Sequence, residues 1–423
     1  MPGERQPGET RLCAIVDAYS SGSLLPGMLA GYGVDCVHVQ STQPMPAVYA
    51  PSFRPGDFRA NVVHSGSVDD TAAALRALGV TDLLVGAECG VLLFDRLAAA
   101  LDLPGNDPAL SRARRDKYEM QETLRRAGLD AIAQVRSGDL QRILDWARAA
   151  GRWPVVLKPL DSAGSDGVTF CDDEQEVRRA FGALIGVTNR LGSRNDEVLA
   201  QAYVKGQEYV VNAVSRDGRP YFSEIWQINK TLMPGGNLVY DHGILLDARG
   251  PVQDTLTGYV GRVLDALGIR NGASHSELML TDRGPVLIEI GARLAGSISH
   301  RTTGRAVGCS HASLLAEAWF DEDRFRVRSA APYLRREHAR FVSLISRQSG
   351  TIAGLKRLHD VFELPSFSQA VNCPKAGDAI RPTEDLFTSP GLIYLVDPDP
   401  GVVEADHRRI RQWEAEGFFE LAP

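Results

Sequence analysis

Apolar positions along the chain fall into short runs broken by turn residues, not into long helical stripes. RLCAIVD (11–17) is a β-branched run that ends at an acid. A turn-rich SSGS follows, then an apolar segment to Tyr32, and then VDCVHVQ, a second strand. TDLLVGAE (81–88) repeats the pattern, a buried strand ending in a loop, with its helix at about 90–101. Strand, turn, helix and strand in this order open a parallel sheet covered by helices. Ligands of such sheets sit beyond the carboxyl ends of the strands. Glu88 stands at one of those ends and is a candidate to hold a substrate ammonium group.

LPGNDPALS (103–111) reads as a hinge, and Ser111 can cap the helix after it. That helix, RARRDKYEMQETLRRAGL, stops at Gly128. WPVVLKP (153–159), VTFC (168–171), EVLAQAYV (197–204), QEYVVNAVS (207–215) and GPVLIEIGAR (284–293) read as strands. After about residue 325 the pattern changes. FVSLISR, a GLKRL helix, GDAI, GLIYLVD and a final helix near 402–416 suggest a small α+β module.

At 423 residues the chain is too long for one ordinary core, and two to four domains are expected. Its net charge of −7 argues against a dedicated nucleic-acid binder. No run of 18 apolar residues suggests a membrane span. MPGERQPGET lacks the apolar core of a signal peptide and reads as a disordered leader. The six cysteines are scattered without a CxxC pair, so neither a zinc ribbon nor a disulfide framework is expected. A cytoplasmic protein is the expectation.

PLDSAGSDGVTF (159–170) lies between two of the strands, just after Lys158. It reads either as a hairpin turn or as a lid over phosphates, because glycine lets backbone N–H groups approach anionic oxygens. It matches neither GxxxxGK[ST] nor GxGxxG. Lys117 and Lys158 could together neutralise a polyphosphate. Glu277 in SELML and Glu289 in VLIEI are acids inside apolar strands, costly if unpaired. Paired strands would put both carboxylates on one face, suited to Mg2+ between protein and phosphates. The alternative is a structural ion pair with Arg293. That arginine could also hold a transferred phosphoryl group or a developing oxyanion.

RRDKYEMQETLRRAGL, VVLKPLDSAGSDGV, EVLAQAYVKGQEYVV, SHSELML and VLIEIGARLAG, in this order, resemble the ATP-grasp superfamily over roughly residues 81 to 310. The EIGAR form and the C-terminal module look most like its L-amino-acid ligase branch, which makes dipeptides. The resemblance implies a mixed α/β and α+β multidomain protein. A leader (1–10) would precede a Rossmann-like domain (11–110), an ATP-grasp lid subdomain (111–205), a central domain with the metal site (206–325) and the α+β module (326–423).

The resemblance also implies residue roles. Lys117 and Lys158 would contact the α- and β-phosphates, and Ser162 to Gly167, including Gly164 and Ser165, would form the lid. Gln201 would face the adenine amino group, with the Ala202 and Val204 backbone on the adenine edge and Glu208 on the ribose. Glu277 and Glu289 would bind Mg2+ or Mn2+, and Arg293 would act on the acyl phosphate. Many ATP-grasp enzymes carry Glu-x-Asn where this chain has Gly291, which weakens the case for a complete two-metal site. His242 and Ser297 would contact substrate, and His275 would stand beside the metal carboxylate. The expected reaction joins two amino acids, or an amino acid and another amine, with release of ADP and phosphate. Its partners are small molecules, without nucleic acid or membrane, and a homodimer is left open. The rival readings are an ATP-grasp ligase or carboxylase with another substrate, and a nucleotide-binding protein without catalysis.

Overall fold

The computed structural model describes residues 11–162, 164, 166–233, 238–296, 299–384 and 388–423. The expected leader (1–10), Ser165 and Ser297 lie outside the described residues.

Four strands form the N-terminal sheet in the order Asn61–Val63, Val34–Gln40, Arg11–Val16, Asp82–Val85, all parallel. Arg11–Val16 is buried at every position after its first, as a strand covered on both faces must be. Glu88 follows the Asp82–Val85 strand directly, at the carboxyl edge of this sheet.

The region read as one capped helix from Ser111 is two elements. A 3-10 stretch, Pro108–Arg114, precedes an α-helix, Lys117–Arg126. Asp116, not Ser111, caps the helix, accepting from the N–H groups of Tyr118 and Glu119. Ser111 instead donates to Asp95, beside a fully buried Arg114–Asp95 ion pair of 2.7 Å. Arg114 also reaches the carbonyls of Leu267 and Asp107. A buried guanidinium needs these partners, and satisfying them stops the helix from starting earlier.

A second sheet is antiparallel, in the order Gln134–Ser137, Val198–Ala202, Val155–Pro159, Thr169–Cys171. Alternation assigns its faces. Val155, Leu157, Val198 and Ala200 pack with Ile143, Leu144, Val177 and Phe181 of two covering helices. Val156, Lys158, Leu199 and Gln201 therefore share the other face.

The third sheet has eight strands in the order Gly284–Gly291, Gly272–Thr281, Gln207–Arg216, Arg219–Leu232, Leu238–Leu245, His338–Ser343, Leu392–Asp397, Phe367–Val371. Its last three strands come from the C-terminal module, hydrogen-bonded directly onto Leu238–Leu245. The division expected at 325/326 falls inside the helix Glu322–Ser329, and the one at 110/111 falls inside Pro108–Arg114. One apolar core runs from the N-terminal sheet through the central strands. The second sheet and the end of the C-terminal module keep cores of their own.

Candidate active site

Glu277 and Glu289 are direct cross-strand partners in the antiparallel pair Gly272–Thr281 and Gly284–Gly291. Directly opposed side chains share a face, so the two carboxylates stand together. They keep 31% and 24% side-chain exposure, enough to meet a ligand. Lys117 Nζ lies 2.9 Å from Glu289 Oε1 and donates to the Ser162 carbonyl at 2.6 Å. One ammonium thus links the carboxylate pair to the base of the loop after Lys158. Lys158 is buried, and burial followed by the neighbouring Lys117 lowers it to about 8, against the pull of Glu289 and Glu277.

The loop after Lys158 closes a true hairpin, since Val155–Pro159 and Thr169–Cys171 pair antiparallel. Turn and lid are not exclusive. Gly164 and Gly167 both have positive φ, of 67° and 72°. A Cβ at Gly167 would lie 2.7 Å from Leu184 Cδ2, so the loop needs glycine there for space as well as conformation.

Gln201 is buried on the Lys158 face of the lid sheet, and its Nε2 donates to Gln134 Oε1 at 2.9 Å. The Ala202 N–H is committed to the Ala133 carbonyl at 2.9 Å, so the part of its backbone that could serve an adenine edge is the carbonyl. Val204 lies past the end of its strand, at Ala202, in the connection to Gln207–Arg216. Glu208 is buried, with Lys230 Nζ at 2.6 Å and the Tyr240 hydroxyl at 3.5 Å. Burial raises Glu208, and Lys230 opposes the rise.

Two expected substrate contacts are corrected. Glu88 is 3% exposed and clamped between two guanidiniums, with Arg115 Nη1 on Oε1 at 2.6 Å and Arg293 Nε on Oε2 at 2.7 Å. Burial alone would raise its pKa, but Arg293 and Arg115 hold it down at about 2. A carboxylate so engaged has little left for an ammonium group. His242 faces the C-terminal helix Pro400–Glu416, where its ring lies 4.6 Å from that of His407 and Nδ1 lies 3.2 Å from Asp241. A bulge opposite Asn229/Lys230 adds Asp241 to the strand between Tyr240 and His242 and breaks the alternation of that strand.

Sequence reasoning named His275 beside Glu277 but missed the residues that hold it and several others. His275 Nε2 lies 3.4 Å from Glu277, while its Nδ1 bonds Asn212 Oδ1 at 2.8 Å. Asn212 in turn donates to the buried Glu224 at 3.1 Å. Because the Asn212 amide nitrogen is committed to Glu224, Nδ1 of His275 is the donor in that pair. Burial would raise Glu277, but the neighbouring His275, with Lys230 and Arg293, holds it down at about 2. His311 accepts from the Ala295 N–H at 3.3 Å and meets the Ala213 carbonyl at 2.9 Å, which pins the turn after Arg293. Arg115 is one arginine of three in RARRDK, and its pairing with both Glu88 and Asp161 sets it apart.

The pair of hard carboxylate oxygens fits a divalent cation such as Mg2+. Gly291 offers no further donor, and the position has another constraint. A Cβ there would stand 2.9 Å from Glu88 Oε2 and 3.0 Å from Arg293 Cζ.

The ATP-grasp domain family matches residues 151–301. Over 413 residues the chain is 35% identical to dapdiamide A synthase of Enterobacter agglomerans, covering 96% of each protein. The chain belongs to the ATP-grasp ligases. This ligase is also 24% identical over 243 residues to the carbamoyl phosphate synthase large chain of Vibrio cholerae, covering 56% of this chain and 22% of that one. Its fold resembles the L-amino acid ligase of Bacillus licheniformis, with a TM-score of 0.73 at 18% identity over 95% of this chain and 97% of that one. It also resembles an ATP-bound carboxyaminoimidazole ribonucleotide synthase from Aspergillus clavatus, with a TM-score of 0.67 at 14% identity over 96% and 99%. As an ATP-grasp ligase the enzyme forms C–N bonds with ATP, and no described helix is long and apolar enough to cross a membrane.

Proposed function

We propose that this ligase joins two amino acids, or an amino acid and another amine, through an acyl phosphate, as part of specialised metabolism. The observation that carries the reading is the in-register pair Glu277–Glu289, with Lys117 bridging it to the loop after Lys158. The kinship with dapdiamide A synthase supports amino-acid-derived substrates.

A carboxylate is a poor electrophile at neutral pH. One carboxylate oxygen attacks the γ-phosphorus of ATP, the bond to the β–γ bridging oxygen breaks, and ADP leaves. The amine of the second substrate then attacks the acyl carbon, and the C–O bond to phosphate breaks. Lys158 and Lys117 meet the phosphate charge. Ser162 to Gly167 close over it and exclude the water that would hydrolyse the acyl phosphate. Gln201 and the Val204 backbone face the adenine, and Glu208 retains lone pairs for a ribose hydroxyl. Arg293 spends Nε on Glu88 and Nη1 on the Leu294 carbonyl, which among the described residues leaves Nη2 for the acyl-phosphate oxygens or the oxyanion. Glu277 and Glu289 would hold Mg2+, or Mn2+ in its place, which when bound supplies positive charge to the phosphate oxygens. Six unpaired cysteines and dependence on ATP suit the cytoplasm.

A screen of amino-acid pairs for ATP-dependent phosphate release tests the reading. Release is expected with a subset of pairs, and Glu277→Gln and Glu289→Gln each abolish it in a folded protein. Full activity in either variant contradicts the metal assignment.

A further inference from the structure

Four charged side chains of alternating sign run in series from Arg293 to the lid. Arg293 Nε meets one oxygen of Glu88 at 2.7 Å, and Arg115 Nη1 meets the other at 2.6 Å. The second arm of Arg115 reaches Asp161. Asp161 immediately precedes Ser162, the first residue of the lid, and its carbonyl accepts from Asn189. The members come from four places: the edge of the N-terminal sheet, the turn before the Lys117 helix, the lid hairpin, and the end of the Glu289 strand. Glu88 and Arg115 are buried, while Asp161 keeps 34% side-chain exposure.

We infer that Glu88 and Arg115 are positioning residues, which tie the seating of the phosphate lid to the orientation of Arg293 at the acyl phosphate. The inference rests on the role proposed for Arg293 and adds residues that touch neither ATP nor the reacting atoms. A guanidinium holds two carboxylates in fixed, divergent directions through its rigid fork, whereas an ammonium offers its donors from one point on a flexible stem. Gly291 belongs to the same device, because a side chain there would collide with the Glu88–Arg293 contact. When the lid moves, Asp161 moves with it, and the chain gives Arg293 its settled position only when the lid is seated.

The test measures kcat and the KM for ATP separately, by ADP release with pooled L-amino acids. Glu88→Asp keeps the charge but is one methylene too short to bridge both arginines, and Arg115→Lys keeps the charge without the fork. Both are expected to lower kcat by about 10²-fold, the usual cost of a small misplacement of a reacting group. Glu88→Asp should leave the KM for ATP within about threefold, because the Arg115–Asp161 contact at the lid remains. Asp161→Asn should also lower kcat, and Glu88→Asp/Asp161→Asn should be no slower than the slower single variant, since one chain is broken once. A kcat within about threefold of wild type for Glu88→Asp overturns the inference, and so do losses that multiply in the double variant. The wild-type product tests the ligase reading separately, while the ratios between variants test the chain.

Discussion

At the scale of single residues, burial and charge decide which groups act. Lys158 sits at about 8 because burial, and then Lys117, disfavours its charged form. It carries its proton below that value and loses it above. If Lys158 meets the phosphates, MgATP affinity should stay level near about pH 7 and weaken above about pH 8, by at most about tenfold per unit for a single proton. Lys158→Arg, which keeps its proton throughout, should remove that fall. Calorimetric titration against pH checks both, and an affinity level to about pH 9.5 would speak against the assignment. Gly291→Ala is expected to lower kcat while leaving MgATP affinity near wild type, because its Cβ meets Arg293 and Glu88 rather than the nucleotide. Unchanged turnover would mean that the arginine tolerates displacement. Lys158, Glu277, Glu289 and Arg293 could be named from the sequence because each sits in or beside an apolar run that a charge must justify, whereas Lys117, in a charged stretch, was reached through the family resemblance. Arg115 could not, since nothing in its charged stretch distinguishes a bridging buried charge from a solvated one.

At the scale of elements, the period-2 patterns were legible and the irregular joints were not. The strand pair that opposes Glu277 to Glu289 follows from two apolar runs joined by a short turn. Asp116 displaced Ser111 as the helix cap because a distant ion pair, Arg114 with Asp95, controls the hinge. His242 turned toward the C-terminal helix because one inserted residue, Asp241, changed the phase of its strand. The lid offers a test at this scale. Gly167→Ala must hold φ near 72° and push its Cβ against Leu184. The strain should cost about 1–3 kcal/mol, confined to the lid sheet with its separate core. Hydrogen exchange in the Thr169–Cys171 strand should speed up and the KM for ATP should rise, while exchange in the Glu277 strand stays at the wild-type rate. Equal acceleration in both strands would mean that the lid is not an independent unit.

At the scale of the whole molecule, the C-terminal module is not an appendage. Its strand His338–Ser343 continues the sheet that carries the metal carboxylates, and Arg411 of the last helix pairs with Asp241 at 2.5 Å. Ending the chain at residue 325 would leave the Leu238–Leu245 strand as an open edge. Such a truncation should lose cooperative unfolding and nucleotide binding together, and a truncated chain that still binds MgATP would show the module to be separable. The sequence pattern marked the change of character near 325, but sheet continuity depends on pairings far apart in the chain that no local pattern records.

The central claim is that a substrate carboxylate is activated by direct transfer of the γ-phosphoryl group. Its most direct test labels both carboxylate oxygens of the accepted amino acid with ¹⁸O and follows the label in the released phosphate. Transfer through an acyl phosphate predicts one ¹⁸O in each phosphate and one retained in the amide carbonyl, with ADP as the nucleotide product. Unlabelled phosphate, or label appearing in AMP, would contradict it.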